Sequence, residues 1–308
     1  MDAPAFLAPV EFVRSPEALR TAYTHTQAVA YTRWLATTHY ENFHVVSFLL
    51  PKRLHQDFYN VYSYCRWADD LGDETGDPAE SLRLLDWWRG ELDAMYAGSA
   101  THPVFVALRP TVDRYAIPKE PFSDLVRAFI QDQTVTRYRH WEELFGYCRY
   151  SANPVGRLVL YLCGYSDAQR QALSDATCTA LQLANFWQDV TVDLLKDRVY
   201  IPLEVMFRHG YSLEDLAARR STPAFRLVMR EIVGTTRELF RKGLPLSGMV
   251  DRRLSLDIDL FSRGGMLILD KIARQNYDVL RARPAVSKVE RACLLAASLA
   301  RAAFLRAA

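Results

Sequence analysis

The feature that most constrains this chain is its punctuation: apolar residues recur with a period near 3.6 along most of its length, broken only by short Pro, Gly or Asp signals. Pro51, the Gly76-Asp77-Pro78 turn, Pro103, Pro118 with Pro121, Asn153-Pro154, Gly164, Pro202, Gly210, Gly243 with Pro245 and Pro284 cut it into roughly ten helical stretches. No segment alternates apolar and polar residues as a half-buried strand would. The short apolar runs Val45 to Leu50 and Leu158 to Cys163 read as buried helix, because their neighbours continue the helical period. The expected fold is all-α. With no low-complexity linker and no internal repeat, residues 1–308 are expected to form a single helical domain.

Bulk properties narrow the function classes. A formal net charge of +2 and the lack of a basic stripe interleaved with aromatics argue against nucleic acid as a partner. The five cysteines form no C-x-x-C pair, which fits a reducing cytoplasm without a disulfide frame or zinc site. No basic start followed by an apolar run marks a secretory signal, and no apolar run approaches the roughly 18 residues of a spanning helix. The expected location is cytoplasmic, free or peripheral to the inner membrane. The stretch Pro284 to Ala308 is amphipathic, with Val289, Cys293, Leu294, Ala296, Leu299 and Phe304 as an apolar face and Lys288, Arg291, Arg301 and Arg306 around it. It suits a packed terminal helix or, alternatively, attachment to an anionic membrane.

Two acid-rich segments carry the chemistry. In Asp69-Asp70-Leu71-Gly72-Asp73-Glu74, helical geometry stacks Asp69 and Asp73 one turn apart and adds Tyr62 and Arg66 to the same narrow face. Asp70 and Glu74 fall to one side of it, as outer partners. More than a hundred residues later, Gln182, Asn185, Asp189 and Asp193 form a second column, followed by Lys196, Arg198 and Tyr200 before Pro202. Stacked like charges repel by about 0.2–0.5 kcal/mol per pair, so a cation is expected between them, a hard divalent ion being the economical choice. One such pair alone would read as a solvated helix face; two columns with amide, basic and aromatic neighbours do not. Between them, Asp132 in the polar stretch Phe129 to Tyr138 either joins the acids or caps a neighbour. The stretch Tyr147 to Gly156 combines a kink signal with small residues suited to lining a cavity. Most of the many aromatics are expected to be core, and any facing a cavity could stabilise a carbocation.

At these residues the chain resembles the squalene and phytoene synthase family. The likeness runs from about His39 to Tyr277 and rests on the Tyr62-Ser63-Tyr64-Cys65-Arg66-Trp67-Ala68-Asp69-Asp70 to Asp73-Glu74 block, Arg137-Tyr138 to Glu143-Leu144, Tyr147 to Gly156, and Gln182 to Pro202. It implies an isoprenoid synthase helical bundle around a central cavity. It further implies Mg2+ and bound diphosphate held by Asp69, Asp73, Asp189 and Asp193, with Asn185 as a further metal ligand. Arg66, Arg198 and Tyr200 would help hold the phosphates, and Tyr62, Phe43, Tyr147 and Gln182 would line the pocket.

Three departures point to one branch. Gln188 stands where condensing members carry Arg, Asp197 where they carry Gly, and His39 to Ser47 replaces their serine-rich entry. The Glu41-Asn42-Phe43 segment with Phe186 to Val190 looks like the hydroxysqualene synthases of hopanoid-producing bacteria. That branch implies presqualene diphosphate as substrate and water as the terminating nucleophile, with Gln188 as a candidate to seat that water. It also implies receipt of substrate from a presqualene diphosphate synthase and delivery to a squalene-forming reductase. Condensation of two farnesyl diphosphates is the alternative within the family. Outside it stand a di-iron carboxylate protein, for which Glu41-Asn42-Phe43-His44 offers one E-x-x-H element, and a non-catalytic assembly partner.

Overall fold

The structure is a computed structural model and describes residues 6–38 and 51–304. Phe43 and the whole Glu41 to His44 element lie outside the described residues, as does the Val45 to Leu50 run. Among the described residues the fold is all-helical. Its α-helices are α1 (Pro9–Val13), α2 (Pro16–Arg20), α3 (His25–Thr38), α4 (His55–Asp73), α5 (Pro78–Tyr96), α6 (Pro103–Tyr115), α7 (Glu120–Asp132), α8 (Trp141–Ser151), α9 (Asn153–Leu162), α10 (Ala168–Asp193), α11 (Leu203–Arg208), α12 (Leu213–Ala217), α13 (Pro223–Gly243), α14 (Arg252–Arg274) and α15 (Lys288–Phe304). The count exceeds the ten expected stretches because α1, α2, α11 and α12 are single turns, too short to display a period.

The punctuation works through capping. Asp77 accepts from the Ala79 amide ahead of Pro78, and Thr222 from Phe225 ahead of Pro223, so proline sits where its missing N–H costs nothing. Asp167 and Asp251 cap the long helices α10 and α14 in the same way. Asn153-Pro154 separates α8 from α9 as expected, with Pro154 in the first turn of α9. The Asn153 side chain accepts from Thr179 at 2.8 Å, and Gly156 lies so close to Ser174 and Cys178 that a Cβ would not fit. Small residues here serve close packing on α10.

The chain packs as two compact units, Met1–Thr134 with Arg157–Ser166, and Val135–Gly156 with Asp167–Ala308. The first unit is centred on aromatics: Trp67 stacks on Trp88 at 5.0 Å, and His102 meets Trp67 edge-on at 4.4 Å. Burial drives the His102 pKa down to about 3, so it serves as a neutral core ring. Trp67 donates to Tyr31 and Tyr64 to the Phe122 carbonyl, which satisfies their polar ends. The second unit is built on α10, whose Leu183, Trp187 and Val190 are buried and whose Trp187 donates to Thr236 of α13 at 2.7 Å. Its only backbone pairing of strand type among the described residues is a parallel bridge between Arg137 and Val199.

The terminal helix departs from expectation. Its inward residues are Glu290, Leu294 and Ser298; Glu290 pairs with Lys271 at 2.8 Å and Ser298 donates to Asp259 at 2.7 Å. Val289, Cys293, Ala296 and Leu299, four of the six expected packing residues, face outward. The cause is α14, which offers α15 charged groups to pair with.

Candidate active site

The first acidic column belongs to the first unit. Helix α4 runs without a break to Asp73, so Asp69 and Asp73 do stand one turn apart, opposite the buried Tyr64, Trp67, Ala68 and Leu71. Tyr62, Arg66 and Asp69 are half-buried and Asp73 is exposed. Arg66 contacts Asp69 at 3.3 Å, Asp70 at 2.5 Å and Glu74 at 3.0 Å. Asp70, expected at the margin, is instead the buried member. Its side chain is 3% exposed, and desolvation pushes its carboxyl up to about 7 against the pull of Arg66. Burial also raises the Tyr62 phenol, with Arg66 opposing.

The polar stretch after α7 has a local purpose. Gln133 donates to the Gly72 carbonyl at 3.1 Å and so clasps the last turn of α4, between the two candidate ligands. Asp132, at the end of α7, is half-buried.

The second column belongs to the second unit. Gln182, Asn185, Asp189 and Asp193 all lie on α10, outside its buried stripe, with Asn185 exposed and the others half-buried. Arg283, 94 residues further on, donates to Asp189. Asp193 differs: its Oδ2 is buried and has no hydrogen-bond partner among the described residues. Burial, then the neighbouring Asp189, push its carboxyl up to about 7, while Arg198, Lys196 and Arg283 pull it down.

Around Asp193 lies a small cleft lined by Phe186, Val190, Asp193, Arg198, Tyr200 and Leu216, among others. Its aromatic wall is ordered by stacking. Phe186 and Tyr200 lie face to face at 3.6 Å, with Tyr147 beside both at 6.2 and 6.0 Å and Tyr138 at 5.8 Å from Tyr200. Tyr200, expected to help hold phosphates, is a buried ring of this stack and lines the cleft beside Arg198.

The two departures receive structural accounts. Asp197 has φ +52°, the left-handed region that glycine enters freely and Asp tolerates. Its carboxylate binds Arg137 at 2.5 Å, and Arg137 also donates to the Asp197 carbonyl. Gln188 donates to the Pro284 carbonyl at 2.7 Å and thereby fixes the segment that carries Arg283. Arg283 itself escaped the sequence reading, since no motif or spacing links it to Asp189.

An all-helical chain with two oxygen-ligand columns and an aromatic wall describes a helical isoprenoid synthase, and the comparisons agree. The squalene/phytoene synthase family model matches residues 36–290. The hydroxysqualene synthase of Rhodopseudomonas palustris is 35% identical over 255 residues, covering 81% of this chain and 85% of that protein. The phytoene synthase of Thermus thermophilus is 33% identical over 258 residues, covering 83% and 87%. Among solved structures, squalene synthase HpnC from Alicyclobacillus acidocaldarius superposes with a TM-score of 0.79 at 44% identity, covering 82% of this chain and 96% of that one. The chain belongs to the squalene/phytoene synthase family, whose members are isoprenoid synthases acting on prenyl diphosphates. No described helix is long and apolar enough to cross a membrane.

Proposed function

We propose that this protein is a hydroxysqualene synthase: it cleaves the carbon–oxygen bond of presqualene diphosphate, releases diphosphate, and joins a water oxygen to the rearranged carbon skeleton with loss of a proton. Carbon–oxygen cleavage and water addition balance without a reductant. The observation that carries the reading is the second column, where Asp193 keeps a buried, unpartnered oxygen one turn from Asp189, above a wall of stacked rings.

Magnesium fits the donor set. The candidate ligands Asp69, Asp73, Asn185, Asp189 and Asp193 offer only hard oxygen. When bound, Mg2+ would supply the charge neutralisation that makes diphosphate a leaving group. Arg198 and Lys196, beside Asp193, are placed to hold phosphate oxygens. Phe186 and Tyr200 line the cleft with Tyr147 stacked beside both, and a ring face turned to a carbocation would favour it by about 0.5–2 kcal/mol. Gln188, through Pro284, positions Arg283 against Asp189; in this reading it is a positioning residue and not the seat of the water.

The branch assignment is supported by the 35% identity to a hydroxysqualene synthase and by Gln188 and Asp197 at the departing positions. Condensation of two farnesyl diphosphates is the second reading, favoured by the 33% identity to a phytoene synthase. Supplying purified protein and magnesium with each diphosphate, with and without a nicotinamide reductant, separates them by product mass. The expected product from presqualene diphosphate is hydroxysqualene, carrying 18O from labelled water and independent of reductant. Asp189→Ala is expected to lower kcat/KM about 10²–10³-fold. Turnover of farnesyl diphosphate alone would overturn the assignment.

A further inference from the structure

Helix α15 is turned inside out relative to an ordinary surface helix. Two of its polar residues face the protein: Glu290 pairs with Lys271, and Ser298, 1% exposed, donates to Asp259, which also binds Arg263 at 2.6 Å. Apart from Leu294, its described apolar residues face away. Val289 is 72% exposed, Leu299 46% and Leu295 37%, with Ala292 and Ala296 exposed between them on the same side. An amphipathic helix gains stability by burying its apolar stripe, so one held by polar contacts with that stripe outward has an unmet hydrophobic face.

The charges beside this stripe identify its occupant. Lys288 and Arg291 are exposed on α15 and Arg281 just ahead of it, whereas Glu290, the acid of the helix, is turned inward and neutralised by Lys271. The outward surface is therefore apolar with a cationic margin and no exposed carboxylate on the helix. A second copy of this chain would bring the same cations against it. A bilayer surface with anionic headgroups complements both parts, taking Val289, Leu295 and Leu299 below the headgroups and Lys288 and Arg291 at their level.

We propose that the outer face of α15 docks this protein on anionic membranes, lying in the interface plane without crossing it. The proposal is independent of the catalytic assignment, and its test reads no turnover. The full-length protein should sediment with phosphatidylcholine vesicles containing phosphatidylglycerol and remain in the supernatant with phosphatidylcholine alone. V289D/L299D should weaken partitioning about tenfold or more. K288E/R291E should weaken it on anionic vesicles, with raised salt mimicking that loss in the wild type. Both variants should melt at the wild-type temperature, since all four positions are exposed. Three results would overturn the proposal: no sedimentation with anionic vesicles, binding indifferent to both variants, or a stable dimer in light scattering that V289D/L299D converts to monomer.

Discussion

The two units neutralise their buried acids in opposite ways. In the first, Asp70 and Asp57 have cations at hand: Asp70 pairs with Arg66 one turn away, and Asp57 accepts from Thr111 at 2.8 Å, Arg114 at 3.0 Å and Tyr115 at 3.0 Å. In the second, hydrogen-bond partners are what particular carboxylate oxygens lack. Asp193 has an orphaned oxygen, and both oxygens of Asp257, a residue only 3% exposed, lack hydrogen-bond partners among the described residues. Desolvation, with a further push from Asp251, raises the Asp257 carboxyl to about 8. A paired acid is a structural element, because removing its partner strands a charge. An orphaned acid near a cleft is available for something from outside. Asp193 lines such a cleft, whereas at Asp257 burial raises the carboxyl and favours its neutral form.

The comparison is broken most decisively at Arg66. Arg66→Met should destabilise the protein by about 3 kcal/mol, because it leaves Asp70 buried without its cation. Urea unfolding above pH 7, where Asp70 is ionised, measures this, and a loss under about 1 kcal/mol would remove the distinction between the units. The cost should shrink at lower pH as Asp70 takes up a proton.

Asp257→Asn tests the opposite case. The folded-state pKa of about 8 lies above the ordinary 3.8, so the native state holds a proton that the unfolded chain has lost between those values. The contribution of this group to stability is thus full below pH 3.8 and lost as pH rises through about 8. The Asn variant should be insensitive at this site and exceed the wild type above pH 8 by about 1–3 kcal/mol. Parallel Tm-versus-pH curves for the two proteins would show that Asp257 is paired after all.

The smallest effect is expected at Arg283. Its side chain is 47% exposed, so solvent screens its attraction to Asp189, and Arg283→Met should cost less than about 1 kcal/mol. A larger loss in the same urea assay would make the second column as structural as the first.

Both columns were legible because they depend on a period of one helical turn, which sequence displays directly. Asp69 with Asp73, and Asn185 with Asp189 and Asp193, needed nothing beyond α4 and α10 remaining helical. What could not be read arrives from elsewhere in the chain. Arg283 reaches Asp189 across 94 residues and Gln133 reaches Gly72 across 61, and no local rule anticipates either contact. The burial of Asp70 was illegible for a related reason. Its neighbour Asp69 is 47% exposed while Asp70 is 3% exposed, and the direction of the core, not the spacing, decides between adjacent acids. The terminal helix failed similarly: its apolar stripe was plain, but α14 decided which way it would turn.

Helix α10 has 26 residues, about 39 Å of unbroken rod. One flank is the keel of its unit, with Trp187 locked to Thr236, and the other bears Asn185, Asp189 and Asp193. These candidate ligands thus inherit their stiffness from the keel: they cannot go slack while it stays rigid. Warming should abolish turnover and unfold this unit at one temperature, with no folded but idle form in between.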